Sequence, residues 1–354
     1  MKIALIGDLH LGIKGGDKAF FDFQMDYIEY FINKCKELGV GHIVQLGDTF
    51  DNRKATNNLI MHGVQHSFIP LLKQLPVKYD FIQGNHDSFY RDNNSVTPLS
   101  ILKSFDDFID IVQETKETVI GGKRFLFCGW MNKNNTDDIT NKIKTTKADY
   151  ILGHFEPKAV PMYSNSALPE YGLDVDVFKN VKQVFSGHYH TVSVTKNYVS
   201  VGSPYHLNWG DWIDGTNRGF FTLDTETDEI DFIQNDESQS LFHVFDYDNI
   251  KKYKESDLEM YKNKIVKIFI KDKSNAKNFK DFKALVGAFP FIDYVMVDET
   301  ITESQHIEID QKTLELDTAK VFEKYIDKQD VTLDKTILKN LAVDIYNESI
   351  QNGD

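Results

Sequence analysis

The chain has 354 residues, of which 41% are hydrophobic and 13% aromatic, and a formal net charge of −14 at pH 7. This length predicts two or three domains, and the apolar content excludes an intrinsically disordered chain. The negative charge argues against a uniformly basic protein that coats nucleic acid.

Strand-like and helical segments alternate through the first half of the chain. Residues 2–6 form an apolar, strand-like run, and apolar residues recur at helical spacing from Phe20 to Leu38, with Gly39 placed as a C-terminal cap. Further strands are predicted at 42–46, 77–82, 123–128 and 150–152, and helices at 58–75 and 137–147. This alternation is typical of a sheet covered by helices, with ligand-binding loops at the strand ends.

The second half of the chain has a different pattern of predicted elements. Short β runs separated by turn residues occur at 183–185, 192–201, 219–223 and 230–233, which predicts a second, antiparallel sheet. Residues 1–240 are therefore expected to form a four-layer α/β/β/α sandwich. Residues 241–300 predict a small βαβ domain with strands at 265–270 and 294–297, and residues 301–354 predict a helical tail.

Five polar clusters follow strand-like runs: Asp8-Leu9-His10, Gly47-Asp48-Thr49-Phe50-Asp51, Gly84-Asn85-His86-Asp87, Gly153-His154 and Gly187-His188-Tyr189-His190. Each cluster alone is a weak signal, but the ordered series offers seven oxygen or nitrogen ligands, enough for two divalent ions. These ligands are Asp8, His10, Asp48, Asn85, His154, His188 and His190. A mixed N/O set without thiolate favours Mn²⁺, with Mg²⁺ or another divalent ion as alternatives. The preceding glycines are expected to form tight turns that aim the ligands over the sheet edge.

The series of clusters resembles the calcineurin-like metallophosphoesterases, and within them the SbcD-type nuclease subunit of recombination and repair complexes and its bacteriophage recombination-endonuclease relatives. The resemblance covers about residues 1–235, and the segment 198–204, which ends in Gly-Ser-Pro, is similar to the turn after the last histidine pair in SbcD proteins. It implies that one ion is held by Asp8, His10, Asp48 and His190. The other ion would be held by Asp48, Asn85, His154 and His188, so that Asp48 bridges the two.

The same resemblance implies hydrolysis by a water that both metal ions activate for in-line attack on phosphorus. His86 belongs to neither ligand set and is predicted to contact the scissile phosphate and to stabilise or protonate the leaving group. Asp87 is a candidate for orienting an imidazole, because it neighbours His86. Many SbcD-like nucleases have His where this chain has Asp51, which leaves the balance of exonuclease and endonuclease action open. Asp51 is expected to hold His86 or a ligand in place, or to pair with Arg53.

Direct contacts with DNA have less support in the sequence. Arg53, Tyr189 and His206 are candidate substrate-binding residues, although core packing explains Tyr189 equally well and loop ordering is favoured for His206. Residues 251–283 carry eleven lysines against five acids, a net charge of +6 that leaves −20 for the rest of the chain. This segment is either a DNA-contacting module or a solvated surface. His62 and His66 lie four apart on a predicted helix but lack a third ligand, so a plain helix face is expected.

These observations predict a metal-dependent DNA nuclease acting in recombination, repair or replication. By resemblance, its tail would dock on an SbcC-like SMC-type ATPase, and the chain would form a homodimer within a hetero-tetramer. Two alternatives stay open: a nucleotide phosphodiesterase or phosphoprotein phosphatase of the same fold, and a non-catalytic scaffold. Apolar runs are too short for a membrane span or secretory signal, and Cys35 and Cys128 lack partners, so we expect a cytoplasmic protein, in the host cytoplasm if phage-encoded.

Overall fold

Two six-stranded sheets form the centre of the fold in the computed structural model. The structure describes residues 1–300 except 106, 159, 164, 165, 167, 171 and 236–239, and beyond residue 300 it describes 326, 335, 336, 338 and 339. Among the described residues, no helix is both long enough and apolar enough to span a bilayer.

The strands of the described residues are numbered along the chain: β1 (Lys2–Ile6), β2 (Val40–Gln45), β3 (Lys78–Ile82), β4 (Ile109–Val112), β5 (Thr115–Ile120), β6 (Lys123–Cys128), β7 (Tyr150–His154), β8 (Pro157–Lys158), β9 (Leu173–Asp174), β10 (Gln183–Gly187), β11 (Ser193–Thr195), β12 (Tyr198–Ser200), β13 (Gly219–Asp224), β14 (Ile230–Gln234), β15 (Phe242–Tyr247), β16 (Ile265–Ile270) and β17 (Asp293–Asp298).

The helices are numbered in the same way: α1 (Ile13–Gly16), α2 (Lys18–Glu37), α3 (Asn58–Gly63), α4 (Ile69–Lys73), α5 (Ser100–Lys103), α6 (Thr136–Thr145), α7 (Trp209–Asp214), α8 (Glu255–Leu258) and α9 (Ala276–Ala288). A π-helical turn (Val64–Phe68) joins α3 to α4. The helix predicted at 58–75 is therefore continuous from Asn58 to Lys73 and is wider at this turn. Helix α2 begins where the Asp17 carboxylate accepts a hydrogen bond from Phe20 N, and the chain leaves it through the left-handed Gly39.

The first sheet has the strand order β14-β13-β1-β2-β3-β4, and the second has the order β11-β12-β10-β7-β6-β5. Strands β1 to β4 are parallel to one another, and so are β12, β10, β7 and β6. The outer strands β13, β14, β11 and β5 pair antiparallel. Parallel neighbours matter for function, because their carboxyl ends reach the same edge of a sheet.

Three hydrophobic cores separate four layers. Residues such as Leu5, Val44, Phe127 and Leu152 fill the space between the two sheets. Helix α2 and the helices that follow it cover the outer face of the first sheet, and helix α6 and the 3₁₀ turn Val175–Phe178 cover that of the second. The predicted four-layer α/β/β/α class is therefore confirmed. Cys35 and Cys128 are buried and free, as expected.

The predicted sheet membership of the later strands is wrong. Strands β13 and β14 extend the first sheet beside β1, and the centre of the second sheet is parallel rather than antiparallel. The single run predicted at 192–201 is a hairpin of β11 and β12, with Lys196 in the left-handed conformation (φ 55°) at its turn. A parallel central strand is buried on both faces, so its apolar run does not distinguish it from the core strand of an antiparallel sandwich.

A third, parallel sheet with the order β15-β16-β17 lies in residues 241–298. It has its own apolar cluster with α9, which includes Phe245, Ile268, Phe282 and Val286. The predicted βαβ unit is thus present and gains β15, whose sequence was not predicted as a strand. Residues Met1–Asp298 form one compact unit and Glu299–Asp354 another. The predicted domain limits at 240 and 300 stay predictions, and most of the tail predicted as helical lies outside the described residues.

Candidate metal centre

The polar clusters converge where the parallel strands of both sheets end. The loops after β1 and β2 of the first sheet are joined, because the backbone amides of Leu9 and His10 donate to the carbonyl of Asp48 over 3.0 and 2.9 Å. Between the sheets, His188 N donates to the Asp8 carboxylate over 3.0 Å. Loops that are distant in sequence are therefore joined by hydrogen bonds.

All seven predicted ligands meet in this place. Three groups of the described residues have ligand atoms within 4.8 Å of one another, and two of them consist of predicted ligands: Asp8 with His10 and His190, and Asp48 with His154 and His188. The third group joins His10 to Asp51 and His86. Asn85 Oδ1 joins the second group, 2.9 Å from His154 Nε2 and 3.0 Å from His188 Nδ1. Asp48 Oδ2 lies 3.7 Å from His10 Nε2 and 3.4 Å from His154 Nε2, which places this carboxylate between the groups.

An unsatisfied nitrogen supports a metal in this place. His10 is only 3% exposed, and its Nε2 is buried without a hydrogen-bond partner although the Asp48 carboxylate is nearby. A buried polar atom without a partner is costly, and a cation between His10 and Asp48 would satisfy it. Neutral imidazole and carboxylate oxygen are also a suitable donor set for divalent first-row ions. The residues present therefore fit a pair of divalent cations.

The backbone is strained at three of the candidate ligands. His10, Asp48 and His188 have φ angles of 46°, 54° and 85°, in the left-handed region that side chains other than glycine seldom adopt. Gly47, with φ 101°, makes the turn before Asp48 as expected. Gly84 has a different reason, because a Cβ atom there would lie 2.2 Å from Asp48 Oδ1. These loops therefore combine left-handed backbone conformations with a close approach of the Gly84 backbone to the Asp48 carboxylate.

Hydrogen bonds orient three of the imidazoles through Nδ1. His10 Nδ1 lies 3.1 Å from Asp51 Oδ1, His190 Nδ1 lies 3.3 Å from Asp211 Oδ1, and His154 Nδ1 lies 2.7 Å from the carbonyl oxygen of Leu46. An Nδ1–H that donates to an oxygen leaves the Nε2 lone pair for an ion.

Residues 1–192 match the calcineurin-like phosphoesterase family. The chain belongs to this family. Over 357 residues it is 28% identical to "Exonuclease subunit 1" of Enterobacteria phage T4, which covers 99% of this chain and 100% of the phage protein. The expected phosphoesterase family and the expected bacteriophage relative are both confirmed.

Solved structures with some similarity include an archaeal phosphodiesterase, with a TM-score of 0.36 and 13% identity over 66% of this chain and 100% of that chain. Another is a dimetal phosphatase from Danio rerio, with a TM-score of 0.38 and 12% identity over 63% of this chain and 91% of that chain.

Burial and close charges shift the pKa values at this phosphoesterase site. Burial raises the pKa of Asp8. Burial would also raise that of Asp48, but the neighbouring His154 holds it well below its usual range. For His154, burial opposes the charged form, yet the carboxylates of Asp48 and Asp8 raise its pKa to about 9. Burial lowers the pKa of His188 to about 3. At neutral pH the metal-free site thus holds a proton on His154, which an ion bound there would displace.

Asp51 contacts both of the groups that were expected for it. Its carboxylate pairs with His10, and its carbonyl oxygen accepts a hydrogen bond of 2.5 Å from His86 Nδ1. The alternative pairing with Arg53 is absent from the ion pairs of the described residues, and Arg53 is half-buried beside this loop. The rings of His86 and His10 lie edge to face with centroids 4.7 Å apart, and His86 forms the third possible metal-binding group with His10 and Asp51.

Asp87 does not contact an imidazole among the described residues, contrary to expectation. Its buried carboxylate accepts hydrogen bonds from the backbone of Phe50 (2.9 Å), Thr49 (3.2 Å) and Gly84 (3.1 Å). Burial and the nearby Asp48 raise its pKa to about 7. Asp87 therefore ties the loop after Asp48 to the loop that carries Asn85 and His86.

Two of the candidate substrate-binding residues are buried. Tyr189 is 2% exposed, packs in the core beneath α6, and donates from its hydroxyl to the carbonyl of Pro157 over 3.0 Å. His206 is 7% exposed, and its two ring nitrogens lie 2.9 Å from Ser240 Oγ and from the carbonyl of Gly215. A base cannot stack on the buried Tyr189, and His206 orders loops, which was the favoured alternative.

Two residues near the ligands were not predicted. The Trp130 ring centroid lies 5.1 Å from that of His188 and 5.8 Å from that of His154. Its signal was available, because Gly129-Trp130 follows β6 in the same way that the ligand clusters follow their strands. Asp211, the partner of His190, had a weaker signal as an isolated acid after the Gly-Ser-Pro turn. His62 and His66 are exposed and in ring contact, but belong to no metal-binding group of the described residues.

Proposed function

We propose that this phosphoesterase is a metal-dependent nuclease that hydrolyses phosphodiester bonds of DNA. The observation that carries the proposal is the pair of ligand groups on either side of Asp48. DNA as the substrate is supported by the phage relative named an exonuclease subunit, which aligns over the full chain and thus also over the residues after the phosphoesterase domain. A small-molecule phosphodiesterase or a phosphoprotein phosphatase needs no such additional segments, and a scaffold needs no complete ligand set.

We assign Asp8, His10, Asp48 and His190 to one ion, and Asp48, Asn85, His154 and His188 to the other. Two Mn²⁺ ions held there would supply an activated water near neutral pH and would neutralise charge on the phosphate, and Mg²⁺ could replace them. The chain itself keeps the ligands in place, since the Asp48 carboxylate accepts a hydrogen bond of 2.8 Å from His86 N.

His86 is assigned to the substrate rather than to an ion. Its Nδ1–H donates to the carbonyl oxygen of Asp51, which leaves Nε2 as the ring atom that can contact a phosphate oxygen. A half-buried imidazole at this position can stabilise or protonate the leaving oxygen.

For the remaining segments, we propose that residues 241–300 help to place DNA and that residues 301–354 dock on an SbcC-like ATPase, as parts of a homodimer within a hetero-tetramer. The word "subunit" in the name of the phage relative supports an assembly. Deletion of residues 310–354 is expected to preserve hydrolysis of a small phosphodiester and to abolish binding of the ATPase. Unchanged ATPase binding would contradict the docking role.

The central experiment compares substrates at equal Mn²⁺ concentration. We expect cleavage of end-labelled duplex or single-stranded DNA that EDTA abolishes, and loss of cleavage in Asp48→Asn, which retains the shape of the side chain but not its charge. Bis-p-nitrophenyl phosphate and a phosphopeptide serve as competing substrates. Rapid hydrolysis of the phosphopeptide with no cleavage of any DNA would favour the phosphatase instead, and no hydrolysis of any substrate would favour the scaffold.

A further inference from the structure

We infer that Asp211 is a positioning residue for the metal ligand His190, and that the buried Arg218 fixes both of them. Neither residue offers an atom to the proposed ions. The inference rests on the proposed role of His190 in holding one ion, and concerns how the protein presents that imidazole.

The carboxylate of Asp211 is held through both of its oxygens. Asp211 is completely buried, with Oδ1 3.3 Å from His190 Nδ1 and Oδ2 accepting a hydrogen bond of 2.9 Å from Leu207 N. The residue lies in the first turn of α7, where Asn208 caps the helix by accepting a hydrogen bond of 3.0 Å from Asp211 N. The cap fixes the backbone of Asp211, and the Leu207 amide fixes the rotation of its carboxylate.

Arg218 connects this helix to the main chain of the ligand. It is 3% exposed, and Nη2 donates to the backbone oxygen of Asp211 over 2.9 Å. Nη1 donates to Ser203 Oγ over 2.8 Å and to the backbone oxygen of His190. The same His190 oxygen accepts a hydrogen bond of 3.0 Å from Ser203 N. One planar guanidinium therefore sets the distance between the backbone of His190 and the residue that binds its ring.

This arrangement selects one tautomer of His190. A carboxylate can only accept, so Nδ1 carries the hydrogen and Nε2 keeps its lone pair, on a ring that is grouped with Asp8 and His10. His10 has a similar carboxylate partner in Asp51, whereas His154 in the other group is oriented by a backbone carbonyl. Loss of such a carboxylate commonly weakens metal binding by about 10- to 100-fold. Loss of Asp211 should therefore weaken the binding of one ion and leave the binding of the other unchanged.

The test replaces Asp211 by Asn and measures Mn²⁺ binding by calorimetry and by EPR, without reference to activity. Asp80→Asn is the matched control, because Asp80 is 1% exposed and its carboxylate lies 2.7 Å from His42 Nε2, in a buried Asp–His pair outside both ligand groups. We expect the wild type and Asp80→Asn to bind two ions with the EPR signal of a coupled pair. Asp211→Asn should bind one ion normally and the second about 10- to 100-fold more weakly, with the signal of an isolated ion.

Two tight ions in a folded Asp211→Asn protein would overturn this inference alone, whereas a wild type that binds no Mn²⁺ would overturn it together with the metal centre. If circular dichroism shows that Asp211→Asn is unfolded, the inference is tested instead by NMR of the wild-type protein. In Zn²⁺-loaded protein with ¹⁵N-labelled histidine, the resonances that His190→Gln removes should show a protonated Nδ1 and a metal-bound Nε2. Metal on Nδ1 would overturn the inference.

Discussion

His86 belongs to neither of the ligand sets assigned to the ions, although its Nδ1, like that of His154, donates to a backbone carbonyl oxygen. We predict that His86→Ala retains two Mn²⁺ ions at wild-type affinity and lowers kcat for DNA by about 10²- to 10⁴-fold, the usual contribution of a general acid. Metal titration and single-turnover cleavage measure the two effects separately. His66→Ala, at an exposed helix position, is the control. A loss of activity below a few fold would contradict the role of His86.

His154 couples metal binding to pH. Its pKa of about 9 lies above its ordinary value, so the proton that stabilises the metal-free site is present below about pH 6.5 and is lost as the pH rises through 9. An ion on Nε2 displaces this proton, so the apparent affinity for Mn²⁺ should rise up to about tenfold per pH unit between 7 and 9 and then level off. His188, with a pKa of about 3, is already neutral there. Calorimetry in buffers of different ionisation heat should detect proton release at pH 7; its absence would contradict the prediction.

The sequence predicted that seven candidate ligands converge, because each follows an apolar run, and such runs end at a common sheet edge when they pair in parallel. It did not predict which way their neighbours point. Tyr189 lies between His188 and His190, but the left-handed turn at His188 sends its ring into the core. Asp87 likewise faces the backbone of Phe50 rather than His86. Such directions depend on dihedral angles and on remote partners, which residue type does not encode.

At the level of elements, the presence of a strand or helix was easier to predict than the pairing of the strands. Strand β1 and helix α2 have strong periodic patterns, whereas β5 alternates among exposed and half-buried positions, without an apolar run to reveal it. The pairing of β1 with β13 joins residues more than 200 positions apart, such as Lys2 and Asp224, and no local pattern carries that information. Strand β15 was missed because His243 and Asp246 interrupt its apolar residues.

The first residues of β15 connect the predicted DNA-placing unit to the phosphoesterase core. Phe242 is 1% exposed, and its ring centroid lies 5.1 Å from that of Trp209 and 6.4 Å from that of Phe20. Phe242→Ala should lower the free energy of unfolding by about 3–5 kcal/mol, because it leaves a cavity beside Trp209 and Phe20. Urea denaturation measures this, and Ile250→Ala, at a residue 86% exposed, should change it by less than about 0.5 kcal/mol. If both changes lowered the free energy of unfolding equally, Phe242 would not hold β15 to the phosphoesterase core.

At the scale of the whole molecule, the question is whether the basic segment 251–283 attracts DNA to an acidic protein. Part of its charge is neutralised, because Lys271 pairs with Asp246 and Lys273 with Asp298, both acids outside the segment. The lysines of α9 have no ion-pair partner among the described residues and are exposed at a spacing of three: Lys277, Lys280 and Lys283. These three are therefore the best candidates for contacts with phosphate.

Replacement of the three α9 lysines by Glu should weaken binding of duplex DNA and lower the slope of log affinity against log salt by up to about 3, as expected when phosphate contacts are lost. Hydrolysis of bis-p-nitrophenyl phosphate should not change, because the ligand loops are untouched. The matched control replaces three exposed lysines elsewhere: Lys144, Lys147 and Lys179. Both triple variants change the net charge of −14 by the same amount. Equal losses would mean that DNA responds only to total charge and that the segment is a solvated surface, whereas a loss confined to the α9 variant would locate the path of DNA over the third sheet.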